Sequence, residues 1–320
     1  ALLLIAALTA GNARGVDVGK RIQNLFTAVK VATLIALAAL CFGVGFSWEI
    51  ASANFAAPWT RPPDALPLTA AVGSAIVGAL FSSDAWNNLT FAAEEVRTPE
   101  RTIRRALVAG TMLVVLLYLA TTLAYLVVLP AVGSPDGATP VARGIAHADR
   151  DRVGSAVMAA IVGPTGAVIM AAAIMVSTFG CVNGLVLSGA RVSYAMARDG
   201  LFFQSAGRLS AAGTPAVALV FQGVWAAVLT LSGTYGDLLD YVIFAALLFY
   251  ALTVAATRRY DDHATAAKRA LTIAYIVVAA AIMLDLLIVK PRFTWPGLAI
   301  VASGVPVYAF WRRSSAPPLS

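Results

Sequence analysis

The residues of this 320-residue chain that could do chemistry are few, and most are set inside apolar runs. The densest group is Phe81-Ser82-Ser83-Asp84-Ala85-Trp86-Asn87-Asn88, reached directly from the apolar stretch Ala70 to Leu80. Hydroxyl, carboxylate and amide side chains in that order compete for backbone hydrogen bonds, so they favour a break in a helix and then the cap of a new one. A break deep in a membrane exposes carbonyls of the first half, which suit an ammonium group, and N–H groups of the second, which suit a carboxylate. The other reading is that Ser82, Ser83 and Asn87 hydrogen-bond a neighbouring helix. Asp84 also divides two ways. Either it caps residues 86–88, or it serves a proton or a bound molecule, since a carboxylate near the bilayer centre costs roughly 3 kcal/mol and normally faces a partner or a cavity.

Lys30 stands between Phe26-Thr27-Ala28-Val29 and Val31-Ala32-Thr33-Leu34. Its stem could snorkel to the basic cluster about two turns away, or its ammonium could be a fixed cation paired with carbonyls or hydroxyls of other helices. Ser177-Thr178-Phe179-Gly180-Cys181-Val182-Asn183-Gly184 joins hydroxyls, an amide and two glycines, a pattern for close helix contact. Asp285 reads as interfacial, about one turn from Lys290. Phe244 reads as core or lipid-facing. The stretch from Glu94 to Arg105 mixes both signs of charge and is either a solvated clamp or the latch of a gate.

Other chemistries find no support. Cys41 and Cys181 lie in separate apolar runs, where thiols behave as small hydrophobes, so no disulfide is expected. His147 and His263 are isolated in loops and form no metal-ligand cluster. No catalytic triad, zinc motif, phosphate loop or cofactor motif is visible, and the expectation is a non-enzyme without a cofactor. The net charge of +7 does not point to nucleic acid, because the basic residues are spread over five segments and form no stripe with stacking aromatics.

The elements that must position these residues follow from composition. Apolar residues make up 60% of the chain, charged residues 12%, and the mean hydropathy is +0.82, values that exclude a soluble domain. A hydrocarbon core about 30 Å thick needs about 20 apolar residues per helical crossing. Full crossings are predicted at 24–46, 66–93, 106–129, 163–190, 215–233, 236–256, 269–289 and 293–311. Ala1 to Ala10 is half a crossing, read as a helix entered part-way, and its start is not basic enough for a signal peptide. The expected organisation is one transmembrane helical domain over 1–311, with one partial and eight full crossings, and a cytoplasmic tail over 312–320.

Lys and Arg alternate loop by loop. Arg14, Lys20, Arg21, Arg97, Arg101, Arg104, Arg105 and their like crowd one side, sixteen residues against six on the other. The positive-inside rule then puts the C-terminus in the cytoplasm and the chain in the cell (inner) membrane. Trp48, Trp59, Trp295 and Trp311 lie near predicted crossing ends, as headgroup anchors do.

Phe81 to Val96 followed by Thr98-Pro99-Glu100-Arg101 resembles the amino acid–polyamine–organocation permeases, with the L-type amino-acid transporters as the nearest branch. Arg21 to Lys30, Ser177-Thr178-Phe179-Gly180 with Val182-Asn183-Gly184, and Ala197-Arg198-Asp199-Gly200 before Thr214-Pro215 agree in order. The resemblance implies an all-α integral membrane fold of twelve crossings in a five-plus-five inverted repeat. The segments here would correspond to helices 4 (partial) to 12, the chain being N-terminally truncated. The first helix of the family, whose Gly-rich break supplies the other half of the site, would precede them.

By position, the carbonyls of Phe81, Ser82 and Asp84 would accept a substrate ammonium, the Phe81 ring would close as a gate, and Phe244 would line the side-chain pocket. Ser83 and Asn87 belong to the same polar stretch. Lys30 resembles the family lysine that stands where sodium binds in sodium-driven relatives, with Ser177 as its partner, which implies sodium-independent transport. The chain departs from the family at Ala85, commonly Gly; at Ala246 or Leu247, often polar or aromatic; and at Arg104, frequently Pro. These departures leave the side-chain specificity open. The expected activity is secondary amino-acid transport by alternating access, as an antiporter or with protons as the coupling partner. The alternative is a membrane sensor or scaffold subunit with the permease fold, and the partner subunit is unknown.

Overall fold

The computed structural model of the chain describes residues 1–56, 67–84, 86–96, 98–232, 235–257, 265–289 and 291–314. Trp59, Ala85, Arg97, His263 and Lys290, named above, lie outside the described residues, as do Arg61, Arg258 and Arg259 among the basic residues counted there. Twelve α-helices are described: α1 (Leu2–Ala13), α2 (Val16–Gly43), α3 (Trp48–Ala56), α4 (Leu68–Ser82), α5 (Pro99–Leu126), α6 (Pro140–Arg143), α7 (Val153–Val162), α8 (Pro164–Arg198), α9 (Ala216–Ser232), α10 (Tyr235–Thr257), α11 (Ala266–Val289) and α12 (Pro291–Ser314). The predicted crossings coincide with helix over most of their length, except 66–93, where α4 stops at Ser82 and a 3-10 segment runs from Trp86 to Glu95.

Four of the described helices are long and apolar enough to cross a membrane: Arg21–Gly43 within α2, α5, α8 and α11. Shorter apolar helices include Leu2–Ala13, Ala216–Leu231 and Val242–Thr257. With 17 residues, α9 reaches about 25 Å at the rise of an α-helix. The surfaces agree with this reading: Leu3 and Ile288 are 87% and 77% exposed, among many other large apolar side chains. An aqueous protein does not present apolar surface on that scale. The sequence reading overlooked the helices outside the crossings, α3, α6 and α7.

By its contacts the chain divides into two compact units. The first comprises Ala1–Arg61, Ala85–Val192 and Arg208–Gly223. Its core joins Leu37 and Cys41 of α2, Ala51 of α3, Ala124 with the following Val127, Val128 and Leu129, Val157 and Met158 of α7, and Met170 of α8. Asn54 of α3 ends α5: its Nδ2 donates to the carbonyls of Leu126 and Leu129 at 2.7 and 3.0 Å, and its Oδ1 accepts from Ala131 N at 2.8 Å. One amide thereby satisfies backbone groups that the end of a helix leaves open.

Elsewhere in this unit α1, α2 and α8 are joined by a buried amide network. Asn12 Nδ2 donates to Leu8 O and to Asn183 Oδ1, both at 2.9 Å, and Asn183 Nδ2 donates to Gly19 O at 3.1 Å and Gln23 Oε1 at 3.3 Å. Asn183 is fully buried. Close approach is possible because small residues stand at the contacts. A Cβ on Gly180 would lie 2.6 Å from Phe26 Cβ, and the Phe26 and Phe179 rings meet with centroids 4.7 Å apart.

The second unit comprises Pro62–Asp84, Ser193–Gly207 and Val224–Ser320. Its core is Ile243, Leu247 and Ala251 of α10 with Ala279 and Leu286 of α11, and Leu80 of α4 packs against it. Thr294 of α12 donates to Leu286 O at 3.0 Å, which fixes the start of α12 on α11. The Oδ2 atom of Asp285 is shielded and has no hydrogen-bond partner among the described residues, where an interfacial carboxylate would be wetted.

Asn183→Ala removes the acceptor for Asn12 and both amide donors to α2. It should lower stability by about 1–3 kcal/mol, read as a drop in Tm in detergent. Asn183→Gln should lose less.

Candidate functional site

The interruption is built from the side chains that announced it. α4 is an apolar run that ends when three polar residues arrive together, and the two serines turn their hydroxyls back on the helix. Ser82 Oγ donates to Ala79 O at 2.9 Å; Ser83 Oγ donates to Ala79 O at 2.9 Å and to Leu80 O at 3.1 Å. Ser83 N still reaches Ala79 O, whereas Asp84 N bonds Phe81 O at 3.2 Å, a tightened last turn. Hydroxyl groups that answer carbonyls of the preceding turn are the mechanism by which serine unsettles a helix. The final carbonyls, at the negative end of the helix dipole, lie beyond their reach.

Asp84 is half-buried and its Oδ1 accepts a hydrogen bond from the Tyr250 phenol of α10 at 2.6 Å. Tyr250 was not singled out in the sequence. A phenol within an apolar crossing is the signal that could have found it, because a buried tyrosine needs a partner for its hydroxyl. Phe81 lies at the surface of this unit and Phe244 is buried at 3% exposure, which favours core over a lipid-facing place for Phe244. After the break the chain forms ten residues of 3-10 helix, longer than such helices usually run, where a capped α-helix was expected. Asn87 lies in that segment, half-buried, with its carbonyl accepting from Thr90 Oγ1 at 2.6 Å.

Lys30, Ser177 and Asn87 belong to the first unit; Phe81, Ser82, Ser83, Asp84 and Phe244 belong to the second. Lys30 stands at the middle of α2, and its Nζ donates to Cys181 Sγ of α8 at 2.8 Å. The ammonium therefore turns to a neighbouring helix, the second of the two readings, but its partner is a thiol one turn beyond the expected Ser177. Ser177 is half-buried on the same helix. Sulfur is a weak acceptor, so a cation so placed is held with little compensation.

Residues 1–308 match the amino acid permease family. The chain belongs to that family. It is 30% identical over 261 residues to the b(0,+)-type amino acid transporter 1 of Mus musculus, covering 78% of this chain and 48% of that protein. To the serine/threonine exchanger SteT of Bacillus subtilis (strain 168) it is 32% identical over 209 residues, 63% of this chain and 44% of the exchanger. To the large neutral amino acids transporter small subunit 2 of Mus musculus it is 27% identical over 328 residues, 98% of this chain and 58% of the relative. The permease chain thus spans about half the length of the relatives it matches. With its apolar helices, membership makes it a multi-pass membrane protein, and the relatives are named as transporters rather than enzymes.

Gly180→Val would drive a side chain into Phe26 and part α2 from α8 beside the Lys30 to Cys181 contact. A loss of about 1–3 kcal/mol in thermal unfolding is expected. Gly110→Val, where nothing lies within 4 Å, should leave the midpoint nearly unchanged.

Proposed function

We propose that the natural protein carries an amino acid across the cell (inner) membrane by alternating access, without sodium, either in exchange for another amino acid or with protons. The observation that carries this reading is the interruption after Ser82, inside an apolar segment of a permease-family chain, with a carboxylate beside it. The carbonyls of Phe81, Ser82 and Asp84 take the substrate ammonium, the Phe81 ring closes over the substrate, and Phe244 lines its side-chain pocket. Chemistry needs no cofactor and no covalent step, because moving a bound zwitterion requires only that its two charges be answered on the way.

In this proposal the helices belong to a five-plus-five inverted repeat as its fourth to twelfth crossings, residues 1–311 form one transmembrane domain, and the tail from 312 to 320 lies in the cytoplasm. Lys30 is the fixed cation that replaces sodium. Its contact with Cys181 supports the role, since a lysine that merely snorkelled would reach along α2 for the cytoplasmic surface. The names of the relatives favour transport over a silent sensor or scaffold, and one of them is named a small subunit, which keeps a partner subunit in view.

Uptake by the natural protein in liposomes, with and without sodium, a pH gradient and internal amino acid, tests the reading. Flux should persist without sodium and should respond to internal amino acid or to the pH gradient. Strict sodium dependence would sink the assignment of Lys30. Lys30→Ala should insert normally yet lose about tenfold or more in turnover, about 1.4 kcal/mol; normal turnover would return Lys30 to snorkelling. Phe81→Ala should raise KM through poorer occlusion.

A further inference from the structure

We propose that Tyr250 is a positioning residue of this transport site: its phenol hydroxyl holds the Asp84 carboxylate at the carbonyl end of the interrupted helix, so that the charge stands where a substrate ammonium arrives. The inference rests on the transport reading above and adds to it a residue that composition and motif did not single out.

Electrostatics makes a holding group necessary. The C-terminal end of α4 carries the negative pole of the helix. A carboxylate beside it is repelled, and in hydrocarbon it needs a partner to hold it in place. The Tyr250 hydroxyl supplies one by donating to Asp84 Oδ1 at 2.6 Å, a short bond of the stronger kind. Among the described residues this is the only hydrogen bond of the Asp84 side chain, so Oδ2 keeps its acceptor capacity for a cation. Tyr275 of α11 also lies within electrostatic reach of the same carboxylate.

The phenol projects from a rigid support. Leu247 and Ala251, which flank Tyr250 on α10, are buried in the core with Ala279 and Leu286 of α11, and Leu80, four residues before Asp84, packs on the same cluster. Both ends of the hydrogen bond are therefore mounted on one packed body, the arrangement needed to hold a group to a fraction of an ångström.

The test uses the natural protein in liposomes and the radiolabelled amino acid that the wild type carries fastest among the standard twenty, with its N-acetyl derivative, which lacks the ammonium, as competitor. Tyr250→Phe should raise KM about tenfold, the worth of a hydrogen bond to a charged group, and leave kcat within about twofold. It should also narrow the preference for the amino acid over the N-acetyl compound. Asp84→Asn should narrow the same preference, and the double variant should be no worse than Asp84→Asn. Unchanged KM in Tyr250→Phe, equal losses in kcat and kcat/KM with the preference intact, or multiplying effects in the double variant would overturn the proposal while leaving transport standing. Should Tyr250→Phe fail to fold, an intact preference in Asp84→Asn overturns it alone. A wild type that carries none of the twenty removes the transport reading and this inference together.

Discussion

Hydrocarbon offers no hydrogen bond, so each polar atom that this chain carries into it has to be answered by the chain itself. The cheapest answer is local. Thr33, Thr121, Thr178 and Thr230 each donate to the carbonyl four residues back, at 2.7–2.9 Å, and ask nothing of another helix. Amides and charges carry more groups than one such bond can answer: Asn12 closes on Leu8 O in this way and still donates to Asn183. Asn183 reaches α1 and α2, Asn54 reaches the end of α5, Lys30 reaches α8 and Asp84 receives α10. The helices are thus joined within each unit by the residues that lipid tolerates least, while the apolar side chains, equally content in lipid or in protein, supply area rather than choice of partner.

The same constraint explains what could be read in advance. Crossings were legible because hydropathy is a local property: an 18-residue apolar window is visible whatever packs against it. The interruption was legible for a similar reason, since Ser82, Ser83 and Asp84 disturb the backbone within one turn of themselves. Partners across helices were not legible. Nothing in the spacing of Lys30 says which residue of Ser177-Thr178-Phe179-Gly180-Cys181 will face it, because one turn of α8 carries a hydroxyl and a thiol on neighbouring faces. Tyr250 was hidden for the same reason, 166 residues from the carboxylate it meets. The 3-10 form of the segment from Trp86 also escaped the sequence, where caps and propensity argue for an α-helix.

Lys30 shows how close packing and charge placement depend on each other. Its ammonium meets Cys181 only if α2 and α8 come near, and they come near where Gly180 has no side chain to hold Phe26 off. The Phe26 and Phe179 rings fill the space beside that contact. A larger residue at 180 would not touch the lysine, yet it would leave the ammonium with its weak acceptor out of reach. Cations deprived of a partner inside a membrane travel to the surface if their stem allows it, so a packing residue here decides whether Lys30 is a fixed charge or a floating one.

The two serines at the interruption bear on the proposed site in the opposite sense. As possible ligands they attract notice, but their hydroxyls are spent on Ala79 and Leu80, a turn short of the break. That expense is useful. By satisfying the earlier carbonyls it ends α4 without a cap, and it leaves the later ones at residues 81–84 as the oxygens closest to the negative pole. Phe81 O accepts from Asp84 N at 3.2 Å. In the proposed site the serines therefore serve by ending the helix rather than as side-chain ligands, and backbone is the surface that would meet the ammonium common to all amino acids.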